Sequence, residues 1–359
     1  MRNPELDSMR ALSVMLVVAA HAGFNFIPGG LGVTVFFVIS GYIITKLILE
    51  EFSYHGNIDI KKFYSRRFWK LFPPFLAIIF IPSIILFDKM DLNGMAILAQ
   101  LLFYFNWHTV HYGSVGVLPG TGIVWSLSIE EQFYIAIALC VSLTLRMKSS
   151  EFIRIFKYTF VVLWMLSTAF RLGLAQIYKN SIHDETGNLP RIYLGTDTRI
   201  SSICIGGLLA ILSPAIVQRK SLTKATSIFL VLFSILTIFS TLLIRDSFFR
   251  DSIRFTLQEV SVAILIFTGV VVKLWPSCLK ALARNGLIQK IGLASYSIYL
   301  SHLILITLFT SLFDSETTQT GYQITQLILI VGVVATGIAL HHLFDLPFEK
   351  QRLKYRRLK

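Results

Sequence analysis

The stretch Arg10-Ala-Leu-Ser-Val-Met-Leu-Val-Val-Ala-Ala-His21 lies in the first long apolar run of the chain and carries an ionisable residue at each end. Eleven residues of α-helix span roughly 16 Å, close to three turns, so Arg10 and His21 lie on nearly the same face. An ionisable side chain at that depth in a bilayer is costly and indicates a functional site by default. Because imidazole accepts and returns a proton near neutral pH, His21 suits a general base. The alternative is a histidine that hydrogen-bonds between helices for structural reasons.

The composition is that of a membrane protein. The 359 residues are 54% hydrophobic and 15% charged, with a mean hydropathy of +0.67, and apolar runs recur at lengths that cross a bilayer. We predict an all-α, polytopic transmembrane helical bundle of about ten spans. Residues 96–107 are apolar but too short to cross comfortably, so we expect a re-entrant or interfacial segment there. The predicted spans are 9–27, 31–50, 71–88, 124–146, 158–178, 199–217, 221–244, 255–275, 291–312 and 322–344.

We find no internal repeat or low-complexity linker, so we predict one membrane domain over residues 1–359. The first apolar run lacks a small-residue cleavage site, and we expect it to remain as a signal anchor. The spans leave no room for a large soluble domain, which predicts a stand-alone membrane module.

The net charge of +13 comes from 33 Lys and Arg residues against 20 Asp and Glu residues. The cations concentrate in alternate short loops, such as 51–70, and in the tail after residue 349. Counting both sides predicts cytoplasmic termini by the positive-inside rule. This distribution favours membrane lipid, and not nucleic acid, as the partner of the positive charge.

A polar stripe opens the fourth predicted span, in the run Trp125-Ser-Leu-Ser-Ile-Glu-Glu-Gln-Phe-Tyr134. Ser126, Glu130 and Tyr134 are spaced four residues apart and therefore share one helix face. Such a face is expensive against lipid, so it should face protein or a wet cavity, where Glu130 would orient His21 or handle a proton. The alternative is that the carboxylate complements the helix dipole.

A second polar stripe lies in the ninth predicted span, where Ser295, Tyr299 and His302 share one face, with Tyr296 beside them. These side chains would hold a ligand or hydrogen-bond to neighbouring helices. Asp197 and Arg199 open the sixth span and would pair with other helices or cap this one.

The cations Arg66, Arg67 and Lys70 precede the third predicted span. Arginine recognises phosphate through paired N–H donors, which suits a phosphate-bearing ligand. Taken alone, they are more typical of an ordinary topology signal. The three cysteines have no metal or disulfide spacing, and no group of ligand residues predicts a metal site.

Together these clusters resemble the acyltransferase-3 family of integral membrane acyltransferases. The matching pieces, in chain order, are Leu6-Asp7 with Arg10 and His21; Phe36-Phe37-Val-Ile-Ser40-Gly41-Tyr42; Phe63 with Arg66-Arg67 and Pro73; Trp125-Ser126-Leu127 with Glu130 and Phe133-Tyr134; Asp197, Arg199 and Gly207; and Ser295-Tyr296 with Tyr299-Leu300 and His302. Two positions depart from the family pattern: Lys70, where the family often has Arg, and Asp345, where it often has Glu.

The resemblance implies an O-acyltransferase of the bacterial cytoplasmic (inner) membrane, commonly using acetyl-CoA as donor substrate and no permanently bound cofactor. Its acceptors would be hydroxyls of cell-surface polysaccharide or glycolipid, such as lipopolysaccharide O-antigen, exopolysaccharide or peptidoglycan. His21, Arg10 and Glu130 are then the candidate catalytic residues, and Arg66, Arg67 and Lys70 the candidate acyl-CoA site. The candidate acceptor-binding residues are Trp125, Ser126, Tyr134, Asp197, Arg199, Tyr296, Tyr299 and His302.

The sequence leaves open whether His21 acts as a base in direct transfer or forms an acyl-histidine intermediate. It also leaves the oligomeric state open. The main alternative function is a transporter or flippase of an envelope glycan, because buried ionisable residues on ten spans suit transport equally well. A membrane assembly protein is a third interpretation, which two buried polar stripes make less economical.

Overall fold

The computed structural model describes residues 3–144, 149–179, 190–219, 222–312 and 319–354. The predicted tail cations beyond residue 354 lie outside these ranges. Within them the chain is helical and carries no strand. The helices are α1 (Pro4–His21), α2 (Gly29–His55), α3 (Ile60–Phe75), α4 (Ile81–Ile85), α5 (Gly94–Leu101), α6 (Phe105–Tyr112), α7 (Val124–Thr144), α8 (Ser149–Ile177), α9 (Pro190–Leu194), α10 (Thr196–Arg219), α11 (Lys224–Leu243), α12 (Ser247–Asp251), α13 (Ile253–Ile266), α14 (Ser277–Ala283), α15 (Gly286–Leu293), α16 (Ser295–Leu312), α17 (Gln319–Leu340) and α18 (Leu346–Lys354).

Four further helical turns extend or connect these helices. Three have π-helical hydrogen bonding, a geometry that is frequent at functional sites. They are Leu76–Phe80, Phe267–Val271 and His341–Asp345, and a 3-10 turn at Thr121–Ile123 precedes α7.

Eight helical segments are long and apolar enough to cross a membrane: Gly29–His55, Ile60–Ile85, Thr121–Thr144, Glu151–Ile177, Thr196–Gln218, Lys224–Leu243, Ile253–Val271 and Ile324–Glu349. A ninth forms if Gly286–Leu293 and Ser295–Ser311, bent by 75°, act as one span. The protein is therefore a multi-pass membrane protein with an all-α fold, as predicted.

The first predicted span, 9–27, is the one without a counterpart among the described membrane-length segments. The helix there is α1, which is 18 residues long and ends at His21. It includes Glu5, Asp7 and Arg10, so its charged N-terminal half reduces its apolar character.

The segment predicted not to cross, 96–107, folds as two short helices. Both α5 and α6 have 8 residues, and eight residues of helix measure only about 12 Å. Phe103, between them, has a backbone φ of 53°, in the left-handed region, which interrupts the right-handed helix between α5 and α6. Neither helix is long enough to span a bilayer alone.

The chain divides into two compact units whose segments alternate along the sequence. Unit 1 comprises Met1–Leu6, Thr34–Ile58 and Ile129–Arg284. Unit 2 comprises Asp7–Val33, Asp59–Ser128 and Asn285–Lys359. That residues 1–359 act as one functional domain stays a prediction.

In unit 1, α2 and α10 approach each other through glycines. A Cβ atom on Gly41 would lie 1.9 Å from the carbonyl oxygen of Ile203, and one on Gly206 would lie 2.0 Å from that of Val38. Only a residue without a side chain permits this approach. Helix α10 also packs against α8 and α13, so its position is defined on several sides.

In unit 2, the helices that carry the two predicted histidines are held by backbone contacts. A Cβ on Gly32 would lie 2.4 Å from the carbonyl oxygen of Ser13 in α1. Gly120, at φ +84°, would place a Cβ 2.5 Å from the backbone nitrogen of Ile304 in α16. Helix α16 packs along α17, and α3 packs along α18.

Candidate active site

Two histidines from opposite ends of the chain meet in unit 2. Nε2 of His302 lies 3.3 Å from Nδ1 of His21, and the ring centroids are 5.1 Å apart. His21 is the last residue of α1 and is exposed, whereas His302 lies in α16 and is fully buried. The contact therefore joins an accessible imidazole to an enclosed one.

The hydrogen-bond partners assign the tautomers of both rings. Nδ1 of His21 lies 3.0 Å from the carbonyl oxygen of Val17, and Nδ1 of His302 lies 2.6 Å from that of Tyr299. Because a carbonyl oxygen only accepts, both Nδ1 atoms carry the proton when the rings are neutral. Nε2 of His302 then accepts a hydrogen bond from the Nδ1–H of His21. The same N–H also donates to the carbonyl oxygen of Val17.

This assignment leaves the Nε2 lone pair of His21 available. Among the residues that the structure describes, none forms a hydrogen bond with that nitrogen. A neutral imidazole with a bare, accessible nitrogen and its other nitrogen hydrogen-bonded is the arrangement that a general base requires.

His302 is in turn held by a polar chain within unit 2. The Tyr299 ring lies 5.5 Å from the His302 ring, and the Tyr299 hydroxyl shares a hydrogen bond of 2.7 Å with Oγ of Ser126. Oγ of Ser126 also donates to the carbonyl oxygen of Ile123, at 3.2 Å. The structure thus joins three predicted site residues, Ser126, Tyr299 and His302, with His21. Trp125, the residue before Ser126, is also buried and lies in the first turn of the same helix, α7.

Arg10 lies on α1, partly buried, eleven residues before His21. That separation places its Cα about 16 Å along the helix axis from His21. The two residues of the predicted pair are therefore at different depths of unit 2, and Arg10 is suited to a group remote from the reacting bond.

The basic residues Arg66, Arg67 and Lys70 lie on α3, and all three are partly buried. Trp69 of α3 stacks on Phe348 of α18, with ring centroids 5.5 Å apart. The hydroxyl of Tyr296 donates to the carbonyl oxygen of Leu71, at 2.9 Å. Tyr296, which the sequence predicted to bind the acetyl acceptor, therefore contacts α3. Within the described ranges, no group of three or more His, Cys, Asp or Glu residues is placed to hold a metal ion.

The rest of the predicted stripe on α7 lies in unit 1. The Tyr134 hydroxyl donates to Oε2 of Glu130 at 3.2 Å and shares a hydrogen bond of 2.7 Å with Oγ of Ser40 on α2. The sequence resemblance included Ser40 but assigned it no role. Its contact with Tyr134 connects two separate pieces of the family pattern.

Asp197 and Arg199 do not pair with each other. Asp197 binds Arg191 through two hydrogen bonds, Nη1 to Oδ1 at 2.9 Å and Nη2 to Oδ2 at 2.5 Å. Arg199 points into unit 1, is fully buried, and donates from Nη2 to Oγ1 of Thr34 at 3.1 Å.

Sequence reasoning missed a buried ion pair in unit 1. Nη1 of Arg171 lies 3.4 Å from Oε1 of Glu259, and neither side chain is exposed. Oε1 of Glu259 also accepts from the hydroxyls of Ser201 and Ser202, at 2.7 and 2.8 Å. The available signal was a charged residue well inside each of two predicted spans, Arg171 in 158–178 and Glu259 in 255–275.

Comparison with known proteins identifies the family. A family model described as an acyltransferase domain matches residues 3–342. The curated relatives include the proteins named O-acetyltransferase OatA from Staphylococcus aureus strains NCTC 8325 / PS 47 and COL. Each is 29% identical over an alignment of 377 residues, which covers 98% of this chain and 58% of the relative. The chain thus spans about three-fifths of the length of these relatives. No solved structure matches it. Because the family model covers nearly the whole chain, this protein belongs to the acyltransferase-3 family.

Proposed function

We propose that this protein is an O-acetyltransferase that moves an acetyl group from cytoplasmic acetyl-CoA to a hydroxyl of an extracytoplasmic or lipid-linked cell-surface polysaccharide. Family membership and relatives named as O-acetyltransferases support the reaction class. We place the protein in the bacterial cytoplasmic membrane with both termini in the cytoplasm, on the distribution of Lys and Arg among its loops.

The observation that carries this proposal is the contact between His21 and His302. It presents Nε2 of His21 as a bare, accessible base, with Nδ1–H held between Val17 and His302. A transporter has no need for an accessible base whose second nitrogen is held in one tautomer.

In the proposed reaction, Nε2 of His21 removes the proton of the acceptor hydroxyl as its oxygen attacks the thioester carbonyl. The new C–O bond forms, the C–S bond breaks, and the imidazolium returns its proton to the departing thiolate of coenzyme A. Nδ1–H stays hydrogen-bonded throughout, so His21 keeps its orientation in both charge states. The acyl-histidine route would use the same Nε2 lone pair as nucleophile.

The remaining residues divide between donor and acceptor. Arg66, Arg67 and Lys70 would bind the phosphates of acetyl-CoA, with Arg10 of α1 also directed to the donor. Glu130 would accept or donate a proton, or orient the acetyl acceptor together with Tyr134. The Tyr134 hydroxyl donates a hydrogen bond to Glu130 within unit 1. His302 is assigned a positioning role, because both its ring nitrogens have partners in the protein. The proposed acceptor contacts come from Trp125, Ser126, Tyr134, Asp197, Arg199, Tyr296 and Tyr299.

The test uses purified protein in lipid, acetyl-CoA radiolabelled in the acetyl group, and a mixed envelope-glycan extract. Wild type should label glycan, and His21→Ala should lose transfer by about 10²- to 10⁴-fold while remaining folded. His55→Ala is the matched control, because His55 is exposed at the end of α2 and should transfer at the wild-type rate.

Equal labelling by wild type and His21→Ala would contradict the role of His21. A wild-type protein that neither binds acetyl-CoA nor labels glycan, but moves glycan across vesicle membranes, would favour the transporter interpretation. The labelled product also identifies the acceptor sugar.

A further inference from the structure

The guanidinium of Arg199 is enclosed in unit 1 with most of its hydrogen-bonding capacity unused. Its side chain has 0% exposed surface, and its printed hydrogen bond runs from Nη2 to Thr34. Nε and Nη1 have no hydrogen-bond partner among the described residues. Since guanidinium carries five N–H donors, the N–H of Nε and both of Nη1 are left for another group.

The neighbouring arginines show how unit 1 treats such charges when they are structural. Arg171 has Glu259 at 3.4 Å and additional bonds to Thr198, Ser201 and Thr256. Arg191 has both oxygens of Asp197. Arg199 forms no ion pair with any carboxylate of the described residues, and Glu259, whose charge favours Arg199 at longer range, already has Arg171, Ser201 and Ser202 as partners. A buried charge without a partner is strongly unfavourable.

Aromatic rings surround this charge. The guanidinium carbon lies 4.3 Å from the ring centroid of Phe255, 5.3 Å from that of Tyr193 and 5.6 Å from that of Phe37. Ring faces partly stabilise a cation, but they accept no strong hydrogen bond from N–H groups. They also exclude water, which strengthens attraction between Arg199 and any anion that reaches it.

Of the three rings around Arg199, Tyr193 has the largest exposed surface. Phe37 and Phe255 are buried, whereas Tyr193 is partly exposed and lies on α9, a helix of only five residues. Arg199 itself is in the first turn of α10, whose positive dipole end also favours an anion.

We propose that Arg199, with the walls formed by Phe37, Tyr193 and Phe255, binds an anionic group, a carboxylate or a phosphate ester, of a molecule that enters past Tyr193. The identification of that molecule as the acetyl acceptor rests on the proposed function. The acceptor class is then an acidic glycan or a phosphate-bearing glycan, and not a neutral one.

Binding is tested first, without turnover. Thermal unfolding of the purified protein in detergent is followed with glucuronate against glucose, and with glycerol 3-phosphate against glycerol. The charged member of at least one pair should raise the unfolding midpoint of wild type in a concentration-dependent manner, and its neutral partner should not. The pair that responds distinguishes carboxylate from phosphate.

The variants locate the effect. Arg199→Gln should lose the shift, and Arg199→Lys, which keeps the charge without the planar fork, should weaken it. Arg245→Gln removes the same charge from an exposed position of unit 1 and should keep the full shift. If Arg199→Gln does not fold, the comparison of Arg199→Lys with Arg245→Gln decides. A shift that is absent in wild type, or that survives unchanged in both Arg199 variants, overturns the proposal.

Transfer then tests the acceptor assignment. Labelled acetyl-CoA is supplied with untreated extract, with extract whose carboxyl groups have been reduced, and with dephosphorylated extract. One treatment should lower wild-type transfer about tenfold or more, which corresponds to the loss of one charge-assisted contact. Equal transfer to all three extracts overturns the acceptor assignment but leaves the enzyme reaction standing. If no extract is labelled but the anion still raises the unfolding midpoint, the proposed function is contradicted and the anion site on Arg199 stands.

Discussion

The imidazole of His302 has no exposed surface, yet its Nε2 lies 3.3 Å from Nδ1 of the exposed His21. Both nitrogens of the buried ring have partners within the protein, and its Nε2 accepts the Nδ1–H of the accessible ring together with the carbonyl oxygen of Val17. In the proposed reaction His302 acts through His21, and its contribution is measurable separately from that of the base.

Removing the hydrogen-bond acceptor that His302 offers to His21 should weaken acetyl transfer without abolishing it. His302→Leu deletes one hydrogen bond to the His21 imidazolium and should lower transfer about ten- to a hundredfold. His302→Gln retains a side-chain oxygen that can accept the Nδ1–H, so it should restore part of the rate. Equal rates for the Leu variant and wild type would contradict the positioning role.

The tautomer itself can be observed by nitrogen-15 NMR of histidine-labelled protein in lipid. With His21 neutral, wild type should show a protonated Nδ1 and a bare Nε2, assigned by comparison with His21→Ala. His302→Leu should add a population with a protonated Nε2. A protonated Nε2 in neutral wild-type His21 would refute the assignment.

The donor site on α3 is tested by charge removal. Arg66→Gln and Arg67→Gln should each raise the KM for acetyl-CoA about tenfold or more, with a smaller change in kcat, because a charge-assisted contact to phosphate is lost. Lys61→Gln is the control, since Lys61 is exposed in the first turn of α3. Initial rates at varied acetyl-CoA and at varied acceptor separate the two sites. An effect confined to the acceptor would argue against a phosphate role.

Breaking the buried pair Arg171–Glu259 should be far costlier than breaking an exposed one. Glu259→Gln leaves Arg171 charged and enclosed, which should lower the free energy of unfolding by about 3–5 kcal/mol. Glu50→Gln is the matched control, because its pair with Lys46 is 40% and 49% exposed and should contribute about 0–1 kcal/mol. Thermal unfolding in detergent measures both. Similar midpoints for the two variants would show that the buried pair is not required for stability.

The glycine contacts between α2 and α10 predict that two Gly→Ala substitutions at different positions change the free energy of unfolding in opposite directions. Gly41→Ala would put a Cβ 1.9 Å from the carbonyl oxygen of Ile203, so the helices must separate at a cost of about 1–3 kcal/mol. Gly173→Ala, on α8, meets nothing within 4 Å and should gain up to about 1 kcal/mol from helix propensity. Unfolding midpoints that fall equally would contradict the close approach.

Much of the architecture was predictable because it depends on local composition. Apolar length predicted the eight membrane-length segments and the bent pair Gly286–Leu293 and Ser295–Ser311, and the shortness of residues 96–107 predicted a segment that does not cross. The first predicted span, 9–27, has no counterpart among the described membrane-length segments, because α1 begins at Pro4 and has three charged residues among its 18. Helix periodicity also placed Tyr299 and His302 on one face, as the structure has them.

The pairing of side chains was not predictable, because it depends on how distant helices pack. Periodicity put Ser126, Glu130 and Tyr134 in one stripe, yet Ser126 bonds to Tyr299 while Glu130 and Tyr134 bond to each other. Asp197 and Arg199 are two residues apart but have different partners. Only the tertiary structure shows that, within the described ranges, Arg171 forms an ion pair with a carboxylate and Arg199 does not.

The separation of 281 residues between His21 and His302 has a consequence for biosynthesis. The ribosome makes His302 281 residues after His21, so the intervening helices are made before the pair can form. Until α16 is in place, a nascent chain therefore has no fully oriented base within reach of acetyl-CoA and glycan. Activity then reports complete insertion. A protein whose synthesis stops before α16, or that is cleaved before it, should be inactive even when its first helices are correctly inserted in the bilayer.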